Sequence, residues 1–376
     1  MLIQIQKYMR ISFVLNYAPH YREAVYRLID KTFDCRFYFG DKGNIKKLDY
    51  EIFSKPVKEF RVKSIKGDWC YYAGGLSVLK DGSDTYILTG DMRNLSNWLI
   101  LLLLKLFYSH KRSAIWTHGV YGKESKLQLS IKKVFYSLVD IIFCYGDRSK
   151  SLMINAGIKS DKIFSIHNSL DYEKQVALRS MAEDGVLYRQ HFGNDNSTLI
   201  FTGRLTKVKR LDMILEAMSI LRNRGERYNL VLVGDGVERE NLQQLAKAYD
   251  ISDLIWFYGA CYDEEELSKL IYNADLCVSP GNVGLTSIHS MTYGTPVITH
   301  NRFELQMPEF EAIKDGKTGA FFDCGDVTSL AKVISEWFAA QRDNRDVVRE
   351  ECYREIDASW TPTYQVDILQ SAMEKC

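Results

Sequence analysis

From residue 11 onward, short apolar runs alternate with longer stretches whose apolar positions recur every three or four residues. That alternation belongs to strands joined by helices in a parallel sheet. The runs predict strands at Ile11-Leu15, Arg36-Phe39, Tyr86-Leu88, Ile115-Thr117 and Ile141-Cys144. A second series follows at Leu199-Phe201, Leu230-Val233, Ile255-Phe257, Leu276-Ser279 and Val297-Thr299. Between the two series lies a polar stretch holding Gly185, Gly193 and Asn194-Asp195-Asn196, which reads as a linker. The chain therefore divides into a doubly wound α/β domain over 1–170, a linker over 171–197 and a second doubly wound domain over 198–355. A terminal helical segment over 356–376 completes it, with Thr361 as cap and Pro362 in the first turn. Leu211, Ile214, Leu215, Met218 and Leu221 form one apolar stripe, so the helix after Lys209 packs on its sheet. The apolar run Trp98 to Leu104, continued to Tyr108, is too short to span a bilayer and reads as a buried helix. Lys105, Lys111 and Arg112 beside it leave a peripheral membrane contact open. The sequence shows no internal repeat.

A chain of 376 residues exceeds what one core usually supports, which agrees with two domains. Hydrophobic residues at 46% and charged residues at 26% mark a folded globular chain rather than a disordered one. The net charge of +1 argues against a nucleic-acid binder working by general phosphate attraction. Eight cysteines, at 35, 70, 144, 261, 277, 324, 352 and 376, are scattered without a Cys-x-x-Cys pair and read as core thiols in a reducing compartment. Met1 to Arg10 lack the charged, apolar, then small pattern of an export leader. The expected location is cytoplasmic, open to a peripheral position on the inner face of the membrane.

Candidate chemistry gathers at the predicted carboxyl ends of the second series, where open parallel sheets bind ligands. Gly203-Arg204-Leu205-Thr206-Lys207-Val208-Lys209 follows a buried strand, and Arg204 and Lys209 can bring a guanidinium and an ammonium to one diphosphate. Gly234-Asp235-Gly236 is a tight turn whose small residues let backbone amides approach a ligand. Pro280-Gly281-Asn282-Val283-Gly284-Leu285-Thr286-Ser287 leads into a helix, offering unpaired N–H groups and the positive end of a dipole to a phosphate. In the first half, His20, Tyr21 and Arg22 follow the first strand with aromatic and basic groups suited to a sugar or a lipid phosphate. His118, in Trp116-Thr117-His118-Gly119, is the foremost polar candidate there. Each motif taken singly also suits an ordinary turn, a solvated charge or a core histidine.

Taken together, the second half resembles the nucleotide-sugar-binding domain of family-4 retaining glycosyltransferases of the GT-B fold, or glycosyl transferases group 1. The residues that carry the resemblance run in the family's order across about 198 to 335: Gly203-Arg204-Leu205 with Lys209, Leu211-Asp212, Val233-Gly234-Asp235-Gly236, Phe257-Tyr258-Gly259, Ala274-Asp275, Gly284-Leu285, Met291, Gly294-Thr295-Pro296-Val297 and Asp315-Gly316-Lys317-Thr318-Gly319. The resemblance implies two Rossmann-like domains facing a cleft, with a C-terminal helix crossing back to the first domain. It also implies sugar transfer with retention, without a metal or other cofactor, and with Arg204 and Lys209 holding the donor diphosphate. Donor contacts carry over to Gly203, Gly234, Gly236, Gly281, Asn282, Val283, Gly284, Leu285, Thr286 and His289. His118 resembles in position a family histidine near the donor sugar, and Asn168-Ser169-Leu170-Asp171 resembles the family's Asn-Gly-x-Asp.

The chain departs from the family at two glutamates with seven residues between them, replaced here by Gly281 and His289. In the family the first contacts the donor sugar and the second the ribose hydroxyls. Glu304, Glu309 and Glu311, in a loop longer and bulkier than the family's, are candidates to supply a missing carboxylate. The expected function is transfer of a sugar from a UDP- or GDP-sugar to a hydroxyl of a glycan or lipid-linked acceptor in surface polysaccharide biosynthesis, with no nucleic-acid partner. Two alternatives stand beside it: a GT-B sugar-nucleotide epimerase, and a non-catalytic GT-B-like subunit that binds a nucleotide sugar or a partner transferase.

Overall fold

In the computed structural model, residues 9–43, 45–183, 185–341 and 344–375 are described. Cys376 and the first eight residues, on which part of the thiol and export readings rested, lie outside them. The chain divides into two compact units, Met1–Asp171 with Thr361–Cys376, and Tyr172–Trp360.

The first unit is built on eight strands: β1 (Arg10–Leu15), β2 (Asp34–Gly40), β3 (Lys58–Ser64), β4 (Cys70–Ala73), β5 (Thr85–Thr89), β6 (Arg112–Thr117), β7 (Ile141–Cys144) and β8 (Ile163–Ser165). They lie in the order β4-β3-β2-β1-β5-β6-β7-β8. Pairing is parallel from β3 to β8, with β4 antiparallel at the edge. Successive side chains of a strand point to opposite faces, and both faces of this sheet are covered. Ile11, Phe13 and Leu15 accordingly enter one core cluster and Val14 the other. The helix Pro362–Lys375 covers the first of these, contributing Val366, Leu369, Ala372 and Met373. Thr361 Oγ1 accepts from the Tyr364 N–H at 3.1 Å, a cap with Pro362 just inside it.

The second unit carries β9 (Thr198–Thr202), β10 (Asn229–Val233), β11 (Ile255–Gly259), β12 (Leu276–Val278), β13 (Val297–His300) and β14 (Gly319–Phe322), all parallel in the order β11-β10-β9-β12-β13-β14. Strand order reverses between β9 and β12. Such a switch point leaves a crevice beyond the carboxyl ends of those two strands.

All ten predicted strands form. Four further strands among the described residues were not read from the sequence, for physical reasons: β3 is largely polar, β4 and β8 are short, and β14 opens on glycine. The expected linker differs from what is found. Residues 172–180 and 187–192 are helical and anchored within the second unit, through Gln175 donating to Glu264 at 2.9 Å and His191 stacked on Trp256 at 3.8 Å. Each helix is short and buries one residue, Gln175 in the first and Tyr188 in the second, so no periodic apolar stripe marks them in the sequence. Residues 356–359 close the helix Arg345–Ser359 rather than opening the terminal one. The helix Leu95–Phe107, expected to be buried, is buried on one face alone: Ile100, Leu101 and Leu104 face the core while Leu95, Leu99, Leu102, Leu106 and Phe107 are exposed. Of the thiols, Cys35, Cys144, Cys277 and Cys352 are buried as expected, while Cys70, Cys261 and Cys324 are half-exposed.

Candidate functional site

In the second unit, the loop after β9 and the loop after β12 meet at the switch point. Gly281 N–H donates to Lys209 C=O at 3.0 Å, joining the two loops backbone to backbone. Lys209 Nζ then donates to Asn282 C=O at 2.7 Å and to Asn282 Oδ1 at 3.0 Å, so the ammonium is held at the mouth of the helix Leu285–Thr292. Burial pulls that ammonium down to about 8; the buried Glu309 opposes the shift and the neighbouring Arg204 reinforces it. Arg204 itself is exposed. Two cations crowded beside a helix amino terminus form a site whose mutual repulsion an anion relieves.

Gln306 braces this loop, a role not read from the sequence. Its Oε1 accepts from the Val283 N–H at 2.8 Å, while Nε2 donates to Thr299 Oγ1 at 2.8 Å and His300 C=O at 3.1 Å. Of the three candidate carboxylates, Glu309 is the one whose charge acts on Lys209, whereas Glu304 pairs with Arg302 at 3.1 Å. Thr286 Oγ1 donates to Thr202 C=O at 3.1 Å, tying the first turn of the helix to β9.

Three glycines act differently from the sequence reading. The Gly234 N–H is already given to Gly259 C=O at 2.7 Å and the Gly236 N–H to Asp235 Oδ1 at 2.7 Å. A Cβ at Gly234 would lie 1.9 Å from the Gly203 carbonyl oxygen and one at Gly236 2.3 Å from that of Leu205, so these glycines let two loops pass each other. Gly281 is buried, and a Cβ there would lie 2.1 Å from the Val208 carbonyl oxygen. No side chain fits at that point.

His289 lies one turn into the helix and bonds Glu264 Oε1 through Nε2 at 2.8 Å. The same oxygen accepts from Tyr293 OH at 2.7 Å and from Gln175 Nε2 at 2.9 Å. Burial alone would raise the Glu264 carboxyl; the bonds and the charge of His289 outweigh it and hold the group down at about 2. A carboxylate thus stands next to His289, supplied by the helix Glu264–Asn273. Because the folded-state value lies below the ordinary 4.5, the stability it lends is present above 4.5 and is lost as pH falls through about 2. Glu264→Gln is expected to lower the unfolding midpoint at pH 7, with the deficit shrinking from pH 4.5 downward. Thermal unfolding across that range checks it.

In the first unit, His118 sits in a rigid loop after β6. Glu124 accepts from the N–H groups of Tyr121 and Gly122 at 3.0 and 2.9 Å, and Lys132 Nζ clamps Glu124 and Gly119 C=O at 2.6 Å each. Burial, helped by the charges of Arg22 and Lys132, lowers the His118 imidazole to about 4, so it is neutral at physiological pH. Its Nδ1 is buried with no hydrogen-bond partner among the described residues. Arg22, expected as an acceptor contact, is buried, donating to Tyr145 OH with its guanidinium over Trp116 and Tyr145 at 5.0 and 5.1 Å. Tyr145 in turn packs on His118 at 4.8 Å between ring centroids. Arg22 therefore acts on His118 rather than facing solvent. His20 and Tyr21 are half-exposed and touch edge to face.

The chain is similar to several known proteins. Residues 189–354 match the family model described as Glycosyl transferases group 1. An uncharacterized 41.2 kDa protein in the cps region of Klebsiella pneumoniae is 22% identical over 62% of the chain and 64% of its own length. The putative glycosyltransferase EpsD of Bacillus subtilis is 28% identical over 51% of the chain and 48% of its own length. These matches thus span less than two thirds of either relative. Among solved structures, Anabaena Alr3699/HepE in complex with UDP superposes with a TM-score of 0.72 at 14% identity, covering 97% of this chain and 100% of that one. The fold is that of the GT-B glycosyltransferases, and residues 189–354 resemble the domain described as Glycosyl transferases group 1.

Proposed function

We propose that the chain is a retaining glycosyltransferase that moves a sugar from a nucleotide-diphosphate donor to a hydroxyl of a glycan or lipid-linked acceptor. The observation that carries this reading is the Lys209 ammonium held on Asn282, with Arg204 beside it and the first turn of Leu285–Thr292 opening on the same place. As the bond from the anomeric carbon to the diphosphate breaks, its electron pair leaves on a phosphate oxygen. Lys209, Arg204 and the helix dipole meet the charge that builds there. The acceptor oxygen forms the new bond to the anomeric carbon, and its proton passes to the departing diphosphate. Cations and a helix terminus do the work that a metal ion does elsewhere, so EDTA should leave the transfer rate unchanged.

The UDP complex of the Anabaena protein, and a second complex of it with UDP-glucose, support a uridine diphosphate donor. The cps-region relative and EpsD support a place in surface polysaccharide synthesis. His118, neutral and held by a rigid loop, is assigned to hydrogen bonding with a sugar hydroxyl, and the first unit to the acceptor.

One observation favours a second reading, a non-catalytic subunit that binds a nucleotide sugar: Gly281 leaves no room for the family's first glutamate. Thermal unfolding against UDP-, GDP-, ADP- and CMP-sugars separates the two when paired with a turnover assay, since a ligand of the native state raises its midpoint. Arg204→Ala should weaken binding of the active donor by roughly 10- to 100-fold while leaving the unliganded midpoint in place. A donor-induced shift without turnover on any acceptor would select the subunit, and an Arg204→Ala protein with full turnover would remove the assigned donor site.

A further inference from the structure

The helix Leu95–Phe107 has two apolar faces. Ile100, Leu101 and Leu104 turn inward to the core. Leu95, Leu99, Leu102 and Leu106, spaced by four, three and four residues, share the outer face and are 42, 43, 43 and 63% exposed, with Phe107 at 71% beyond them. The adjacent helix Lys126–Ser137 packs on it through Phe135 against Trp98 at 4.8 Å and adds Leu127 and Val134 to the exposed apolar surface. Solitary exposed leucines need no explanation, but four on one helix face, with further exposed apolar side chains on the helix it touches, do.

The surroundings of this face say what covers it. Lys105 bridges the two helices, donating to Ser137 C=O at 2.7 Å, and Lys126 and Lys133 are exposed beside Leu127 and Val134. Lys133 also opens onto a depression lined by Lys150, Lys159, Lys162 and Lys375, against which stand Asp140 and Asp161. A second copy of the chain would bring like charges together across such a rim. An anionic bilayer would instead take the leucines at its acyl boundary and the lysines at its phosphates. Among the described residues no helix is long and apolar enough to cross a membrane, so the contact is one of lying on the surface.

We infer that the outer face of Leu95–Phe107 and Lys126–Ser137, with its lysine-lined depression, docks the chain on an anionic phospholipid surface. The apolar stripe enters the interface and the lysines select the charge. This surface is independent of the donor site and stands or falls without it.

The test is co-sedimentation of the full chain with phosphatidylcholine vesicles, with and without phosphatidylglycerol. Binding is expected only where phosphatidylglycerol is present, and it should fall with added salt. The double variant Leu106→Glu and Phe107→Glu, and separately Lys133→Glu with Lys159→Glu, should each weaken partition at least about tenfold, since neither apolar burial nor charge alone anchors firmly. All four positions are exposed, so the unfolding midpoint and any nucleotide-induced shift should match the parent chain. No sedimentation with phosphatidylglycerol vesicles would overturn the inference, as would partition that neither variant weakens. A dimer broken by the Leu106→Glu and Phe107→Glu variant, with no vesicle binding, would assign the face to a second copy instead.

Discussion

Lys209→Met is expected to lower turnover by roughly 10²- to 10³-fold, the usual loss when one preorganised partner of developing negative charge is removed. Stability should move the other way. The folded chain holds this ammonium near 8 against an ordinary 10.5, so the protonated form is disfavoured on folding at neutral pH. Between about 8 and 10.5 the unfolded chain binds more protons, and stability rises with pH across that window. Methionine removes this burden, and the midpoint at pH 7 should equal or exceed that of the parent. The same lysine predicts how binding depends on pH. Above about 8 the empty site is largely neutral at Lys209, so a diphosphate must draw a proton in as it binds. Affinity for UDP should fall as pH rises through 8, and calorimetric enthalpies at pH 8.5 to 9 should vary with the ionisation enthalpy of the buffer. Enthalpies that do not depend on the buffer would show Lys209 already protonated in the empty site.

Restoring the family's first glutamate should harm the protein. In Gly281→Glu the new Cβ meets the Val208 carbonyl oxygen at 2.1 Å and Lys209 Cα at 2.8 Å, both backbone atoms with no rotamer to give. The loops must part, breaking the bond from Gly281 N–H to Lys209 C=O and shifting Lys209 from Asn282. A cost of about 3 kcal/mol or more follows from overpacking of this kind. For a domain of this size that lowers the midpoint by roughly 6 to 12 °C. Donor binding should disappear with it. A variant of unchanged midpoint and higher turnover would show that the loop tolerates a side chain and that glycine stands there for another reason.

The strands that are buried on both faces were legible because each is a short, nearly continuous apolar run. The site was legible where charge and position coincide, at Arg204, Lys209 and the loop entering Leu285–Thr292. What escaped depends on distance between segments. Nothing near Gln306 in the sequence tells that its amide closes on Val283, seen only once the loops after β12 and β13 are side by side. Glu264 lies 25 residues before the histidine it pairs with, on a different helix. Arg22 read as an acceptor contact because the partners that bury it, Trp116 and Tyr145, come from β6 and from just beyond β7, far along the chain. Gly234 and Gly236 had the composition of a ligand turn, yet loop packing gave them another use.

The first unit is assembled from two pieces of chain, and its second piece, Pro362–Lys375, follows the whole of the second unit in sequence. During synthesis the sheet β1 to β8 must therefore wait, with the face that Val366, Leu369, Ala372 and Met373 cover still open to water, until about 190 further residues have been made and folded. At translation rates of about 5 to 20 residues per second, this exposure lasts on the order of ten seconds or more. The second unit, continuous in sequence, carries no such delay. The unit whose sheet is made first is thus completed last, and termination between residue 171 and Pro362 leaves the first unit with an uncovered core.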